Sequence, residues 1–142
     1  MAGEKLFHVG VKALLTRPDG MVLVMKTGSF KDDEAHWDLA GGRIEEGQTE
    51  IETLAREIEE ETGLTDFGEP EYFGSCISNI QIPLDDGDKV GLVLIAYKVP
   101  VPDDVQIVIS DEHNEIAWVS MTEAAERLTY KYPKVFTDLL KP

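Results

Sequence analysis

Cysteines, cations and long apolar runs are all scarce in this chain, and each shortage removes a class of protein from consideration. The single cysteine, Cys76, excludes an intramolecular disulfide and a cysteine zinc cluster. No motif surrounds it, so it reads as a small buried thiol rather than a nucleophile. Thirteen lysines and arginines stand against 28 aspartates and glutamates, a formal net charge of −15. So acidic a chain lacks the basic footprint that nucleic-acid polymers require. No apolar stretch has the length of a membrane span, and Met1-Ala2-Gly3-Glu4-Lys5 leads into no signal-like run. No membrane partner is therefore expected, and the cytoplasm is the default compartment. Internal repeats and low-complexity linkers are absent too, so residues 1–142 read as a single domain, long enough to bury a core without disulfides or a structural metal.

What the chain does have is an acidic helix behind a glycine turn. In the stretch from Gly42 to Leu64, Glu57, Glu60 and Glu61 stand at i, i+3 and i+4 and share one flank of a helical turn. Like charges at that spacing destabilise a helix by about 0.2–0.5 kcal/mol per pair. A cation among them turns that repulsion into a binding site. Oxygen-only ligands favour a hard divalent ion, and Mg²⁺ is typically held by one or two carboxylates, several waters and the phosphates of a substrate. The stretch reads as a metal site that handles a phosphorylated compound.

The same residues resemble the Nudix hydrolase box. That box runs Gly, five residues, Glu, seven residues, then Arg-Glu-apolar-x-Glu-Glu-x-Gly-apolar. Here Gly42, Gln48 and Arg56-Glu57-Ile58-Glu59-Glu60-Glu61-Thr62-Gly63-Leu64 fall at those spacings, and the one departure is Gln48 in place of glutamate. Trp37-Asp38-Leu39-Ala40-Gly41-Gly42 is similar to the family's lead-in, with Ala40 where proline is common. The resemblance implies an α+β fold, an α/β/α sandwich around a mixed sheet. It also implies a MutT-like pyrophosphohydrolase using Mg²⁺, with Mn²⁺ as an alternative, and it admits a homodimer.

The rest of the chain is compatible with that fold. Leu6 to Thr16 reads as a strand that returns through the turn Pro18-Asp19-Gly20 as a hairpin with Met21 to Lys26. Thr27 to Ala35 reads as a mobile loop and Trp37 to Ala40 as a short strand. Thr49 and Glu52 form a capping box for the box helix, whose apolar stripe is Ile51, Leu54, Ala55 and Ile58, about 120° from the glutamates, and Gly63 ends it. Tyr72 to Gln81 and Lys89 to Val99 flank the turn Asp85-Asp86-Gly87-Asp88, and Gly91 to Tyr97 reads as a strand buried on both faces. Glu115 to Val119 is a further strand. Thr122 caps a helix to Leu128, and Pro133 opens a last helix to Leu140.

Roles follow from the resemblance. Glu60 and Glu61 match the paired metal-binding glutamates, Glu57 matches a ligand or general base, and the Gly41 carbonyl completes the metal shell. Arg56 joins the catalytic set in a supporting role, pairing with Glu52 or Glu60 to hold the carboxylates still. A glutamate outside the box is also expected before a strand ending in tryptophan, with Glu112 first and Glu115 second in line as base or outer ligand, and His113 reads as a surface residue. Lys26 and Arg43 suit substrate phosphates. Tyr132, with Tyr130, is a candidate to stack on a base, with apolar packing the better default for both rings. Water then attacks phosphorus directly, since no Ser, Cys or His nucleophile is arranged for covalent catalysis. The expected substrate is a small nucleotide, either a nucleoside triphosphate or a nucleotide sugar, because no pattern outside the box narrows the choice. The competing reading is a catalytically weak Nudix-fold module that binds nucleotides or regulates.

Overall fold

The computed structural model describes residues 3–27, 35–110 and 113–142. Strand β1 (Phe7–Thr16) lies between two partners, parallel to β7 (Lys89–Pro100) and antiparallel to β4 (Ala40–Arg43). Strand β2 (Val22–Thr27) lies in the same way between β3 (His36–Asp38) and β8 (His113–Val119), both antiparallel. The turn that joins β1 to β2 forms as expected, with Gly20 at φ 88° and Asp19 Oδ1 accepting from the Met21 N–H at 3.1 Å. The hairpin itself does not continue: its one register pair is Thr16 with Val22. Residues 36–43 take its place by crossing between the strands, pairing first with β2 through β3 and then with β1 through β4. Strands β5 (Glu71–Ile77) and β6 (Ile82–Pro83) pair antiparallel with β7, and Asp85 to Asp88 form the turn between β6 and β7. The loop expected over Thr27 to Ala35 lies largely outside the described residues.

The sheet is mixed and covered on both faces, the sandwich that the resemblance implies. Alternation along β1 divides it: Val11, Ala13 and Leu15 pack toward α1 (Glu50–Thr62) with Leu54 and Ile58, whereas Leu14 packs with Leu92, Leu94, Leu128 and Phe136 toward α2 (Met121–Arg127) and α3 (Lys134–Leu140). Burying apolar area at roughly 25 cal/mol per Å² on each face is the main favourable term. Strand β7 is buried from Val90 to Ala96 along one face and partly along the other. No helix among the described residues is long and apolar enough to cross a membrane.

Local signals set the helix ends. Thr49 caps α1 with the full capping box, its Oγ1 accepting from the Glu52 N–H at 3.1 Å while Glu52 Oε1 accepts from the Thr49 N–H at 3.0 Å. Gly63 closes it at φ 78°. The buried stripe differs from the expected one. Ile51 and Ala55 are exposed, and the face on the sheet is Thr53, Leu54, Ile58, Glu61 and Thr62. The helix is thus rolled so that one glutamate of the acidic cluster points into the protein. Helix α2 begins earlier than Thr122, capped by Ser120, which accepts from the Glu123 N–H at 3.1 Å. Pro133 is the N-cap of α3 rather than its first helical residue.

Candidate active site

The strand and helix of the box meet at two glycines. Gly42 lies against the Glu57 carboxylate so closely that a Cβ there would sit 2.5 Å from Glu57 Cδ. Gly41 has φ +154°, and a Cβ on it would fall 2.0 Å from the Val11 carbonyl oxygen and 2.8 Å from Lys12 Cδ. Glycine is required at Gly41, where the clash is with backbone, whereas a side chain at Gly42 would displace the Glu57 carboxylate. The Gly41 N–H donates to Glu61 Oε2 at 2.7 Å. Glu61 is 6% exposed. Burial pushes its carboxyl up to about 7, with the neighbouring Glu57 and Asp38 charges adding to the rise and the Gly41 N–H and Lys12 opposing it.

Arg56 links the helix to the turn before it. Its Nη1 lies 3.4 Å from both Glu57 Oε1 and Glu60 Oε1, and its Nη2 donates to Gln48 Oε1 at 3.3 Å. Gln48 Oε1 also accepts from Thr53 Oγ1 at 3.1 Å. Of the two partners expected for Arg56, Glu60 is the one it takes, because Glu52 is engaged in the capping box. The Arg56 Nε is buried and has no hydrogen-bond partner among the described residues. Glu60 is the outermost of the three carboxylates, its side chain 57% exposed.

A cleft of about 230 Å³ opens beside these residues. Its lining brings Gly41, Gly42, Arg43 and Glu61 together with Lys12, Asp38 and Lys131 and the apolar Leu39, Ile82, Leu92 and Leu94, with Gly10 and Thr27 also on the wall. Asp38 is buried and accepts from Lys12 Nζ at 3.1 Å, Lys131 Nζ at 2.6 Å, the Tyr132 hydroxyl at 2.6 Å and the Leu39 N–H at 2.7 Å. Burial alone would raise its pKa, but the two ammonium groups and the hydroxyl outweigh it and hold the carboxyl well below the usual range. Burial lowers the Lys12 ammonium, with Asp38 opposing. The turn carrying Lys131 is tied down by Ser78 and Asn79, whose Oγ and N–H donate to the Lys131 carbonyl at 2.7 and 2.9 Å.

The structure thus brings Glu57, Glu60, Glu61, Arg56 and Gly41 together and puts Arg43 on the cleft rim, where its guanidinium is 3.0 Å from His8 Nδ1. Two expectations change. Tyr132 offers no ring to a ligand: it is 1% exposed, packed at 5.0 Å on Phe136, and its hydroxyl holds Asp38. Lys26 is not on the cleft wall, because its ammonium lies over the Trp37 ring, 5.8 Å from the centroid. Tyr130 stacks on His36 with centroids 4.1 Å apart. Glu112 lies outside the described residues, while Glu115 is exposed on β8 opposite Lys26. Lys12, Asp38 and Lys131 were missed. Lys12 carried a signal, a cation in the middle of an otherwise apolar strand, since buried lysines are almost always paired.

Among the described residues, no three His, Cys, Asp or Glu side chains are arranged to hold a metal ion. The donor set nevertheless fits Mg²⁺. Two carboxylates, Glu57 and Glu61, repel each other beside bare glycine backbone, with Glu60 one turn along. A Mg²⁺ ion asks only one or two carboxylates of the protein and takes its other ligands from water and phosphate.

Comparison with known proteins gives the family. The NUDIX domain model matches residues 6–139, and the chain belongs to that family. A solved structure of MutT protein from Methanosarcina mazei Go1 has a TM-score of 0.71 at 25% identity, covering 99% of this chain and 94% of that one. The CTP pyrophosphohydrolase of Escherichia coli K12 is 25% identical over 131 residues, 92% of this chain and 86% of that protein. The octanoyltransferase of Myxococcus xanthus is 30% identical over 115 residues, and this chain covers 30% of its length.

Proposed function

We propose that the protein, a Nudix-type pyrophosphohydrolase, uses a divalent cation to cleave a phosphoanhydride bond in a nucleoside triphosphate or nucleotide sugar. The observation that carries the reading is the pair of carboxylates, Glu57 and Glu61, set against Gly42 and Gly41, with Glu61 and both glycines lining a cleft that Lys12, Arg43 and Lys131 also line. Glu57, Glu60 and Glu61 would hold Mg²⁺, with the Gly41 carbonyl as a further oxygen ligand. Bound there, Mg²⁺ screens the phosphates and stabilises charge on the leaving phosphate. Glu57 or Glu112 orients water and takes its proton on a carboxylate oxygen. Arg56 holds Glu57 and Glu60 in place through its two 3.4 Å contacts. Arg43, exposed on the rim, meets substrate phosphate. No serine, cysteine or histidine is among the described residues lining the cleft, which favours direct attack by water over a covalent intermediate.

One observation favours a second reading, a nucleotide-binding module with weak catalysis. Gln48 supplies Arg56 with a neutral partner, where the box pattern has a carboxylate. A panel of nucleoside triphosphates and nucleotide sugars, assayed with Mg²⁺ and with chelator, separates the two. Turnover of any member that requires Mg²⁺ supports the hydrolase, and binding without turnover supports the module.

A further inference from the structure

The β1–β4 ladder leads out of the cleft and into a second concavity. Residues paired across a ladder share a face of the sheet, and alternate residues of a strand return to that face. Lys12 with Gly41, Gly10 with Arg43, and then His8 one step further along β1 therefore stand in a row. The first two pairs line the cleft. Arg43 then reaches on to His8, its Nη1 3.0 Å from His8 Nδ1. A guanidinium has no acceptor, so Nδ1 accepts and the proton of the neutral ring sits on Nε2, as a donor. The ladder itself continues past Arg43, with the Ile44 N–H donating to the Val9 carbonyl at 2.8 Å. Around this point lies an open groove of about 630 Å³ that shares Arg43 with the cleft. Phe7, Val9 and Ile44 give it apolar walls, and Glu45 and Glu46, both exposed, give it carboxylates.

The two spaces lie on either side of Arg43 along one ladder, next to the glycines that meet Glu61 and Glu57. At about 230 Å³ the cleft is smaller than the roughly 300–1,000 Å³ of pockets that enclose a small-molecule ligand. It has room for one end group of a substrate. We propose that the groove is a second substrate subsite, which takes a sugar ring on the far end of the phosphate chain, so that the substrates are phosphoanhydrides capped at both ends rather than nucleoside triphosphates. Phe7, Val9 and Ile44 offer apolar surface to the face of the ring, and Glu45 and Glu46 accept from its hydroxyls. A bare terminal phosphate has no such donors and meets the same carboxylates as a like charge, which is selection by repulsion. Arg43 and the His8 Nε2–H serve phosphate oxygens between the two spaces. The proposal rests on the phosphoanhydride reading above and narrows it. Nucleotide sugars stay, dinucleoside polyphosphates join them because their second ribose presents the same chemistry, and triphosphates become poor substrates.

The test is calorimetric binding, with Mg²⁺, of non-hydrolysable methylene analogues of UTP, UDP-glucose and diuridine tetraphosphate to the wild-type protein and to Glu46→Lys. The shared uridine cancels any preference for the base. The wild type is expected to bind one of the capped analogues about 10- to 100-fold tighter than the UTP analogue. Whichever capped analogue is tighter separates a hexose from a second nucleoside. Glu46→Lys replaces an exposed acceptor by a cation, and should tighten the UTP analogue and weaken the preferred capped one, each by about threefold to tenfold. Loss of structure would not produce changes of opposite sign. Glu45→Lys should act in the same direction and serves if Glu46→Lys does not fold. Equal affinities for the three analogues, tighter binding of the UTP analogue, or an order that neither lysine variant alters would overturn the proposal. Preference for a capped analogue without turnover of the natural compound would leave it standing and remove the hydrolase reading instead. Mg²⁺-dependent turnover with no preference for a capped substrate would do the reverse. The same set built on adenosine covers a purine site, and no binding of either set would overturn both.

Discussion

Replacing Glu61 by glutamine separates what the carboxylate does for the fold from what it does for a cation. Burial raises this carboxyl from 4.5 to about 7. Between those values the folded protein keeps a proton that the unfolded chain has lost, so the group's contribution to stability is full below about pH 4.5 and is lost as pH rises through about 7. At about 1.36 kcal/mol per pH unit, the ionised carboxylate costs the metal-free protein roughly 3 kcal/mol at pH 8. Glutamine keeps an acceptor for the Gly41 N–H and removes the charge. Glu61→Gln should therefore melt on the order of 10 °C above wild type at pH 8 in chelator, and close to wild type at pH 4.5. Adding Mg²⁺ at pH 8 should raise the wild-type midpoint and leave the variant's unchanged, because only a protein that binds the ion is stabilised by it. Thermal melts followed by circular dichroism at the two pH values, with chelator and with Mg²⁺, give all the numbers. A Glu61→Gln protein less stable than wild type at pH 8 in chelator would refute the reasoning. Its charge would then be a structural partner of Lys12 rather than a ligand held ready at a cost.

Three further substitutions test other parts of the site. Glu60→Gln should remove most turnover, while the exposed pair with Arg56 changes stability by no more than roughly 0.5 kcal/mol; near-wild-type hydrolysis by the folded variant would count against Glu60 as a ligand. Gln48→Glu gives the buried Arg56 Nε and Nη2 a charged partner with two acceptor oxygens, so melting in chelator should rise and the Mg²⁺ activation curve should move to lower concentration. An unchanged curve would make position 48 scaffold only. Glu112→Gln should lower kcat by about 10²- to 10⁴-fold with little change in KM, and if Glu115→Gln is the impaired variant instead, the outer glutamate is Glu115.

The parts of the structure that were legible in the sequence are those set by neighbours in the chain. The Thr49–Glu52 capping box, Gly63 at the helix end and the three glutamates on one flank all follow from spacings within a few residues. The roll of α1 was not legible. A helical wheel favours Ile51 and Ala55 as part of the buried stripe, but the Gly41–Gly42 backbone lets the helix come close at Glu57 and Glu61 and turns those two apolar residues outward. The hairpin failed for a similar reason, since a return strand after a turn is a local expectation and the insertion of residues 36–43 is not. The Lys12–Asp38–Lys131 cluster depends on contacts across still larger separations, 26 residues between Lys12 and Asp38 and 93 between Asp38 and Lys131. Tyr132 takes its default place in the core, and the Asp38 partner that fixes its hydroxyl there, 94 residues away, was not legible.

The central claim, attack of water at phosphorus with a divalent cation at Glu57, Glu60 and Glu61, is tested most directly by running the nucleotide panel in ¹⁸O-labelled water and reading the products by mass spectrometry, with Mg²⁺ and with chelator. One product of each cleaved anhydride should carry a single ¹⁸O, turnover should need Mg²⁺, and a glutamine in place of Glu57, Glu60 or Glu61 should suppress it. Label-free products, turnover that persists in chelator, or no turnover of any nucleotide with Mg²⁺ present would contradict it.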